Sequence, residues 1–269
     1  MKKLLTILCL LILVSCSPPP EVPYDQTIET EEGFFYKTNP TTPVTGIVVH
    51  YHENGQLSFR IKVKKGKPHG LHEDYSENGQ LESRINWKNG KQDSRETYYE
   101  NGQLQHRGIT KDWDYDGLHE NYSENGQLER RINYKNGEYH GLYERFYENG
   151  QLERRTNYRI GQRHGFSEYY HENGEIAWAF TMNMAQEYEG WEQYHENGQL
   201  KFRWNPPSAR KDRPEHELWE VFNEEGELTA QMTAKDGEID GVRKEFYENG
   251  RLKKRANYKD GKREGATEG

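Results

Sequence analysis

Apolar residues recur along the chain at fixed distances from a repeated Glu-Asn-Gly-Gln-Leu string. An aromatic residue stands four positions before the glycine of each copy, and Leu or Ile stands two positions after it. Apolar residues are also common eight positions before this glycine and six and eight positions after it. Most intervals between copies are 24 residues, and this register indicates nine internal repeats. Their glycines are Gly55, Gly79, Gly102, Gly126, Gly150, Gly174, Gly198, Gly226 and Gly250.

Each repeat is predicted to be one β-hairpin. The apolar positions before and after the string share parity, and a period of two indicates strands. The polar Glu-Asn-Gly between the two arms is typical of a hairpin turn. A two-residue loop would place the aromatic residue opposite a polar one. A three-residue loop pairs position −4 with +2 and position −8 with +6, counted from the glycine. We therefore predict a three-residue loop closed by a left-handed glycine, with the apolar side chains on one face.

The hairpins are expected to depend on their neighbours, because a single hairpin is at best marginally stable in water. The predicted fold is all-β: an elongated, single-layer antiparallel β-meander of about nine 24-residue hairpin repeats over residues 34–265. Residues 34–46 resemble an N-terminal half-repeat. The repeat after Gly198 is longer, and its insertion, about residues 205–216, contains Pro206, Pro207 and Pro214. Proline cannot donate to a β-ladder, so we expect a loop or an interruption of the sheet there.

The N-terminal residues have the pattern of an export signal. Lys2 and Lys3 precede a short apolar run, Leu4 to Val14, which is too short for a spanning helix and suits a signal peptide. The run ends in Leu13-Val14-Ser15-Cys16, which resembles the bacterial lipobox. We expect a lipoprotein signal peptide over residues 1–15, then a lipidated Cys16 and a Pro-rich tether over residues 16–33. A plain secretion signal and an uncleaved anchor are the alternatives.

Composition excludes several classes of function. The net charge is −8, and it becomes −10 when cleavage removes Lys2 and Lys3, so the chain lacks the basic surface of a nucleic-acid-binding protein. Cys9 is lost with the signal and Cys16 is lipidated, which leaves no thiol for a disulfide or a redox site. The hydrophobic fraction of 32% is low, but 19 Tyr and 6 Trp in a regular repeat favour a thin aromatic core over disorder.

Two charged positions also repeat. We interpret them as cross-strand pairs that build the scaffold, and the alternative is a charged row that grips a partner or a glycan. Glutamate stands six positions before the glycine in seven copies, and arginine stands five positions after it in seven copies. The glutamates are Glu73, Glu96, Glu120, Glu144, Glu168, Glu192 and Glu220, and the arginines are Arg60, Arg84, Arg107, Arg131, Arg155, Arg203 and Arg255.

The other candidate residues give no clear chemistry. The histidines fall at repeat positions, as in His69, His140 and His164 or His52, His171 and His195, and they lack the spacing of a metal site. We therefore expect no metal, no cofactor and no catalytic residue, because no hydrolase, phosphate-binding or metalloprotease motif occurs either. Four tryptophans in less regular copies indicate either a contact surface or additional core: Trp178, Trp191, Trp204 and Trp219.

The repeat resembles the MORN repeat variant of bacteria over about residues 44–265. The strings that carry the resemblance are aromatic-x-x-Glu-Asn-Gly-Gln-Leu, Asn-Tyr-Lys-Asn-Gly and His-Gly-Leu, and residues 130–165 match most closely. The resemblance implies an extended β-meander that contacts proteins or membranes. Some members of the family are described as antitoxins of toxin–antitoxin systems, so it also implies an antitoxin or immunity role as an alternative.

These observations together favour a lipoprotein held on a membrane through Cys16, at the outer membrane if the cell is Gram-negative, with most of the chain outside the cytoplasm. Its expected role is that of a non-catalytic protein-binding or structural scaffold at the cell envelope, with an envelope protein as partner and without nucleic acid. A cell-surface glycan-binding protein is a further alternative. The exposed terminal strands of an open meander also allow edge-to-edge self-association.

Overall fold

The structure is a computed structural model that describes residues 18–38, 42–111, 113–206 and 216–268. The predicted signal peptide 1–15, Cys16 and residues 207–215 of the predicted insertion lie outside the described residues. Within the described ranges, no helix is long and apolar enough to cross a bilayer. The first elements are β1 (Glu21–Pro23), the 3-10 helix η1 (Tyr24–Gln26), β2 (Thr27–Glu29), β3 (Phe35–Lys37), β4 (Gly46–Tyr51), β5 (Leu57–Lys64), β6 (Lys67–Tyr75) and β7 (Leu81–Lys88).

The remaining elements are all strands. They are β8 (Lys91–Tyr98), β9 (Leu104–Lys111), β10 (Asp114–Tyr122), β11 (Leu128–Lys135), β12 (Glu138–Phe146), β13 (Leu152–Arg159), β14 (Gln162–Tyr170), β15 (Ile176–Met182), β16 (Tyr188–Tyr194), β17 (Leu200–Asn205), β18 (Glu217–Phe222), β19 (Leu228–Lys235), β20 (Glu238–Phe246), β21 (Leu252–Lys259) and β22 (Lys262–Glu268).

The strands from β4 to β22 form one antiparallel sheet, in which each strand pairs with the next along the chain. The predicted single-layer meander of successive hairpins is confirmed. β1 adds to the sheet in parallel beside β4. The pairing also continues across the insertion, where Trp204 of β17 lies opposite Trp219 of β18. The irregular segment therefore leaves the strand order of the sheet intact.

The predicted three-residue loop is confirmed. In the first hairpin the His52 amide donates to the carbonyl of Gln56 at 2.8 Å, and the Gly55 amide donates to the carbonyl of His52 at 2.9 Å. Glu-Asn-Gly thus forms the loop, and Gly55 has a φ of 84°, where a side chain would be strained. Tyr51 lies opposite Leu57, which is the predicted pairing of position −4 with +2.

The predicted pairing of position −8 with +6 is wrong. In the second hairpin Tyr75 pairs with Leu81, but Asp74 then pairs with Ser83, so that Glu82 is an extra residue in a β-bulge. Leu71 consequently lies opposite Asn86, and Ile85 lies opposite His72. A bulge adds one residue to one strand and so reverses the parity of everything beyond it.

The bulge gives the sheet two different faces, where the sequence predicted one apolar face. The face with positions −8, −6, −4, +2 and +5 carries Leu71, Glu73 and Tyr75, and we call it the ladder face. The face with positions −7, −5, +4, +6 and +8 carries Ile61, Ile85 and Ile132, which are all buried, and we call it the isoleucine face. These isoleucines belong to a central row of the face, and the aromatic rings beside this row contact each other edge-on, as at Tyr134–Tyr139 and Tyr139–Tyr158.

Residues near the N-terminus pack on the first strands of the array. Tyr24 contacts Phe35 and Phe59 edge-on, with ring centroids 6.5 and 5.3 Å apart. Phe35 belongs to a buried cluster with Val44, Val48, Ile61 and Val63, and Tyr24 and Phe59 pack against this cluster. The prediction of a tether over residues 16–33 is therefore wrong for residues 21–29. Val22 and Tyr24 are apolar enough to pack on this cluster, and β1 occupies the edge of β4.

Candidate functional site

The repeated glutamates and arginines form one row across the ladder face, with a single residue from each strand. The strand register places Arg60 opposite Glu73 and Glu73 opposite Arg84, and the same alternation continues to Glu168 on β14. We call this row the charge ladder. Its first part is Arg60, Glu73, Arg84, Glu96, Arg107, Glu120, Arg131, Glu144, Arg155 and Glu168.

Glu73, Glu120 and Glu144 of the charge ladder are each shared by two arginines. Glu120 accepts from Arg131 at 3.0 Å, from Arg107 on the other side, and from the hydroxyl of Tyr122 at 3.1 Å. Its side chain is 3% exposed, whereas the side chains of Arg107 and Arg131 are 53% and 40% exposed. The carboxylate is buried and fully engaged, while the guanidinium groups remain partly in water. The interpretation as cross-strand pairs is confirmed.

The ladder explains why the aromatic position is mostly tyrosine. The hydroxyl of Tyr170 donates to Glu168 at 2.8 Å, and Tyr194 donates to Glu192 at 2.6 Å, each two residues earlier on the same strand. Burial, together with the hydrogen bond to the glutamate, raises the pKa of Tyr170 to about 12. Burial disfavours the ionised form of Glu120, but the hydrogen bonds from Arg107, Arg131 and Tyr122 outweigh it and lower its pKa. The pKa values of Glu73 and Glu192 are lowered in the same way, so these three glutamates are held as anions.

The ladder loses its alternation toward the C-terminus. Ala179 occupies the row on β15, and the pairing resumes with Arg203, which contacts Glu192 at 2.8 Å and Glu220 at 3.6 Å. Gln231 and Lys244 then take the next positions, so that Lys244 lies opposite Arg255. Arg255 in turn lies opposite Glu268 of β22, which ends the row.

In several loops the asparagine binds the next repeat, a role that sequence analysis did not predict. Asn54 donates from its side-chain amide to the carbonyl of Glu77 at 2.7 Å, and Asn101 donates likewise to Glu124 at 2.7 Å. The same bond is present at Asn149, Asn173 and Asn197. These bonds couple neighbouring hairpins through their loops, which is the nearest-neighbour coupling expected of a repeat array.

The four tryptophans in the less regular copies come together on the isoleucine face. The ring of Trp191 stacks on Trp178, with centroids 5.5 Å apart, and on Phe202 at 4.7 Å. Trp219 contacts Phe202 at 5.4 Å and Trp204 at 6.4 Å. Trp178 is 45% exposed. We call Trp178, Trp191, Phe202, Trp204 and Trp219 the aromatic surface.

One carboxylate fixes part of the aromatic surface. Glu217 accepts a hydrogen bond at 3.0 Å from the indole nitrogen of Trp204 and another at 3.0 Å from that of Trp219. Indole N–H groups usually need such a partner when they are partly buried. The two rings are therefore held in defined positions, which favours a preformed surface.

Three of the histidines at repeat positions bond the backbone. His52 contacts the carbonyl of Tyr75 at 2.8 Å, and His195 contacts that of Phe222 at 3.3 Å. His69 accepts from the amide of Asn89 at 3.4 Å. Among the described residues, no group of three or more His, Cys, Asp or Glu side chains is arranged to hold a metal ion. These contacts agree with a role in joining the loops and strands.

The copy after Gly102 contains a cavity that sequence analysis missed. Position +6 is Gly108 there, where other copies carry a larger residue such as Ile85 or Ile132. Arg95, His106 and His119 are among the residues that line the space. A signal was available, because a glycine at an apolar strand position often marks a place of close approach.

The geometry as a whole is that of an open array of hairpin repeats. Seven segments match the family described as MORN repeat variant, and together they cover more than half of the chain. The chain belongs to the MORN repeat variant family. The matching segments are residues 44–65, 68–89, 94–112, 115–136, 139–159, 191–205 and 239–260. No curated protein matches the chain.

Solved structures resemble the chain only weakly. A structure of TcdB2-TccC3 without its hypervariable C-terminal region is 13% identical, with a TM-score of 0.20, and the match covers 86% of this chain and 14% of that chain. A porin-like protein from Bacteroides uniformis is 8% identical, with a TM-score of 0.17, and the match covers 80% of this chain and 90% of that chain. These likenesses carry no argument about function.

Proposed function

We propose that the chain is a membrane-anchored lipoprotein whose repeat array is a non-catalytic scaffold that binds another protein at the cell envelope. The anchor rests on the short apolar run and on the lipobox-like Leu13-Val14-Ser15-Cys16. A lipidated N-terminal cysteine with two or more acyl chains anchors stably, whereas one chain binds a membrane only marginally. In a Gram-negative cell we place the protein at the outer membrane, with the array in the aqueous phase.

The aromatic surface is the observation that carries the protein-binding role. Trp178 is almost half exposed and stacks on Trp191, and Glu217 orients two further rings. Tryptophan and other aromatic side chains are enriched at the centres of protein interfaces, where they bury a large area at low entropic cost. In the part of the chain that the structure describes, the sheet is a single layer. Its faces are therefore available to a partner.

The charge ladder favours a scaffold over an enzyme. A general acid or base needs a pKa near the working pH, whereas Glu73 and Glu120 are held by arginines that lower their pKa values. The same arrangement repeats from strand to strand, as a structural element does. We therefore assign these carboxylates to stability.

A crosslinking pull-down from native membranes tests the proposal. We expect the wild-type protein to capture one protein in near-stoichiometric yield. Trp178→Ala should lose most of this yield. Ile160→Ala is the matched control, because Ile160 is 62% exposed but lies in a loop away from the aromatic surface, and it should retain the yield. Cys16→Ala should release the chain from the membrane and abolish capture. Equal capture by all four proteins, or none by the wild type, would contradict the proposal.

An antitoxin or immunity role is a second hypothesis, motivated by the family resemblance alone. It predicts that deletion of the gene is lethal while a neighbouring toxin gene is intact and harmless once that gene is removed. Viable deletion beside an intact neighbour would remove this hypothesis.

We also propose that the array can associate edge to edge. β22 ends the sheet and all seven of its residues are exposed. An unprotected edge strand offers free backbone groups to another strand. Sedimentation of the wild type should show a concentration-dependent dimer, which Ala266→Pro on β22 should weaken. A monomer at all concentrations would refute this idea.

A further inference from the structure

The cavity around Gly108 lies on the isoleucine face, in the third repeat of the array. The strand register places Gly108 of β9 between Arg95 of β8 and His119 of β10. Because glycine has no side chain, a neighbouring side chain can lie directly over Gly108. A Cβ atom added at Gly108 would lie only 2.1 Å from Nδ1 of His119, so the ring of His119 occupies the space that a larger residue would fill. The arrangement requires glycine.

Two histidines form a hydrogen-bonded pair at the cavity. Nε2 of His119 lies 2.7 Å from the carbonyl oxygen of Ile109, and a carbonyl can only accept, so this nitrogen carries the proton. Nδ1 of neutral His119 then accepts from Nε2 of His106 at 3.2 Å. Burial, then the nearby His119 and Arg95, lower the pKa of His106 to about 4. Both imidazoles are therefore neutral near pH 7, and Nδ1 of His106 is left as an acceptor.

The guanidinium of Arg95 supplies positive charge to the cavity. Arg95 stands at position −7, where the other copies mostly carry a neutral residue, as at Val48, Tyr143 and Trp191. It lines the cavity together with Thr97 and Thr110. The cavity thus combines a permanent cation with hydroxyl groups and a neutral imidazole pair.

Aromatic rings form the remaining walls. Tyr115 packs against His119, with ring centroids 4.2 Å apart. Trp113 is 64% exposed and contacts Trp87 edge-on at 5.8 Å. Trp113 has a φ of 77° and stands at the second loop position between β9 and β10, where the equivalent loops carry glycines such as Gly90. A bulky residue in this left-handed region is strained, and such strain is concentrated at functional sites.

From this cavity we infer that the protein has a binding site for a carboxylated sugar. The volume of about 320 Å³ suits a ligand the size of a monosaccharide. Arginine binds carboxylates through two parallel hydrogen bonds, which the guanidinium of Arg95 can provide. The hydroxyls of Thr97 and Thr110 already donate to Gln105 and Gln92, so their oxygens, like Nδ1 of His106, are left to accept hydrogen bonds from sugar hydroxyl groups. The exposed ring of Trp113 offers a flat apolar wall. The site is separate from the aromatic surface and does not depend on the proposed membrane anchor.

Calorimetric titration of the full-length protein in detergent tests this site. The probes are glucuronate and N-acetylmuramate, and comparing them distinguishes a preference for a free sugar acid from a preference for a cell-wall sugar. Glucose, which lacks the carboxylate, and acetate, which lacks the sugar ring, are the control ligands. We expect saturable binding of at least one sugar acid, with glucose and acetate at least tenfold weaker. Absence of saturable binding by both sugar acids, or equal binding of glucose, would overturn the inference.

Two variants test the assigned residues. Arg95→Gln should weaken sugar-acid binding at least tenfold, and the matched control Arg243→Gln should change it less than twofold. Arg243 occupies the same repeat position, but there it faces Met232. Trp113→Gly should also weaken binding tenfold while relieving the strained backbone, so an unchanged or raised unfolding midpoint shows that the fold is intact. Equal losses in Arg95→Gln and Arg243→Gln, or full binding by Trp113→Gly with the fold intact, would contradict the assignment.

Discussion

Replacement of Glu120 by alanine measures what the charge ladder contributes to stability. The carboxylate of Glu120 is buried and accepts from Arg107, Arg131 and Tyr122. Breaking a fully buried ion pair costs about 3–5 kcal/mol. The two guanidinium groups are about half exposed, so water will solvate them after the substitution, and each exposed pair is worth only about 0.2–1 kcal/mol. The loss of the acceptor for Tyr122 adds about 1–3 kcal/mol.

We therefore expect Glu120→Ala to lower the free energy of unfolding by about 2–3 kcal/mol, which corresponds to a fall in Tm of roughly 5–10 °C for a chain of this size. Urea and thermal unfolding followed by tryptophan fluorescence give both quantities. Glu129→Ala is the matched control, because Glu129 is exposed on the neighbouring strand, and it should change stability by less than about 0.5 kcal/mol. Equal effects of the two substitutions would refute the view that the ladder stabilises the sheet.

Three further predictions concern pH and local structure. The lowered pKa values of Glu73, Glu120 and Glu192 mean that their stabilisation is complete above the ordinary value of 4.5. This stabilisation is lost as the pH falls from 4.5 through the lower pKa values of the folded state. The urea concentration at the unfolding midpoint should therefore decrease as the pH is lowered below 4.5. A midpoint that does not change between low and neutral pH would contradict this. Trp113→Gly should raise the free energy of unfolding, measured in urea, by up to about 1 kcal/mol, because glycine removes the left-handed strain; a lower free energy of unfolding would show that the Trp87 contact is worth more. Asp240 is buried and accepts from His216 and Lys259 at 2.8 Å each, so Asp240→Asn should speed hydrogen exchange in β20 and β21, and unchanged exchange would speak against a structural role.

The repeat made much of the fold predictable. Nine copies of one pattern average out local exceptions, so the loop type and the pairing of Tyr51 with Leu57 followed from spacing, and the repetition of Glu and Arg indicated cross-strand pairs. The bulge could not be read in the same way. Position +3, as in Glu82, is polar whether it faces water in a regular strand or forms the extra residue of a bulge. Parity alone cannot distinguish these cases, because apolar residues occupy both faces.

The irregular features were harder to predict for a different reason. The cavity depends on residues from three strands, Arg95, Gly108 and His119, which meet only through the correct register. The predicted pairing of position −8 with +6 assigned the apolar residues of both faces to a single face. It therefore did not bring Gly108 opposite Arg95 and His119. The N-terminal packing was missed because the prolines before Glu21 suggested a tether, whereas Val22 and Tyr24 pack on the buried cluster at the start of the array.

Site-specific photocrosslinking tests the central claim, that the array is a scaffold which binds a protein through one face of its sheet. A photoreactive amino acid is placed at Trp178 on the aromatic surface or at Leu252, which is similarly exposed on the ladder face. After irradiation of intact cells, we predict one dominant protein adduct from position 178 and little or none from position 252. Equal adducts from both positions, or no adduct from position 178, would contradict the claim.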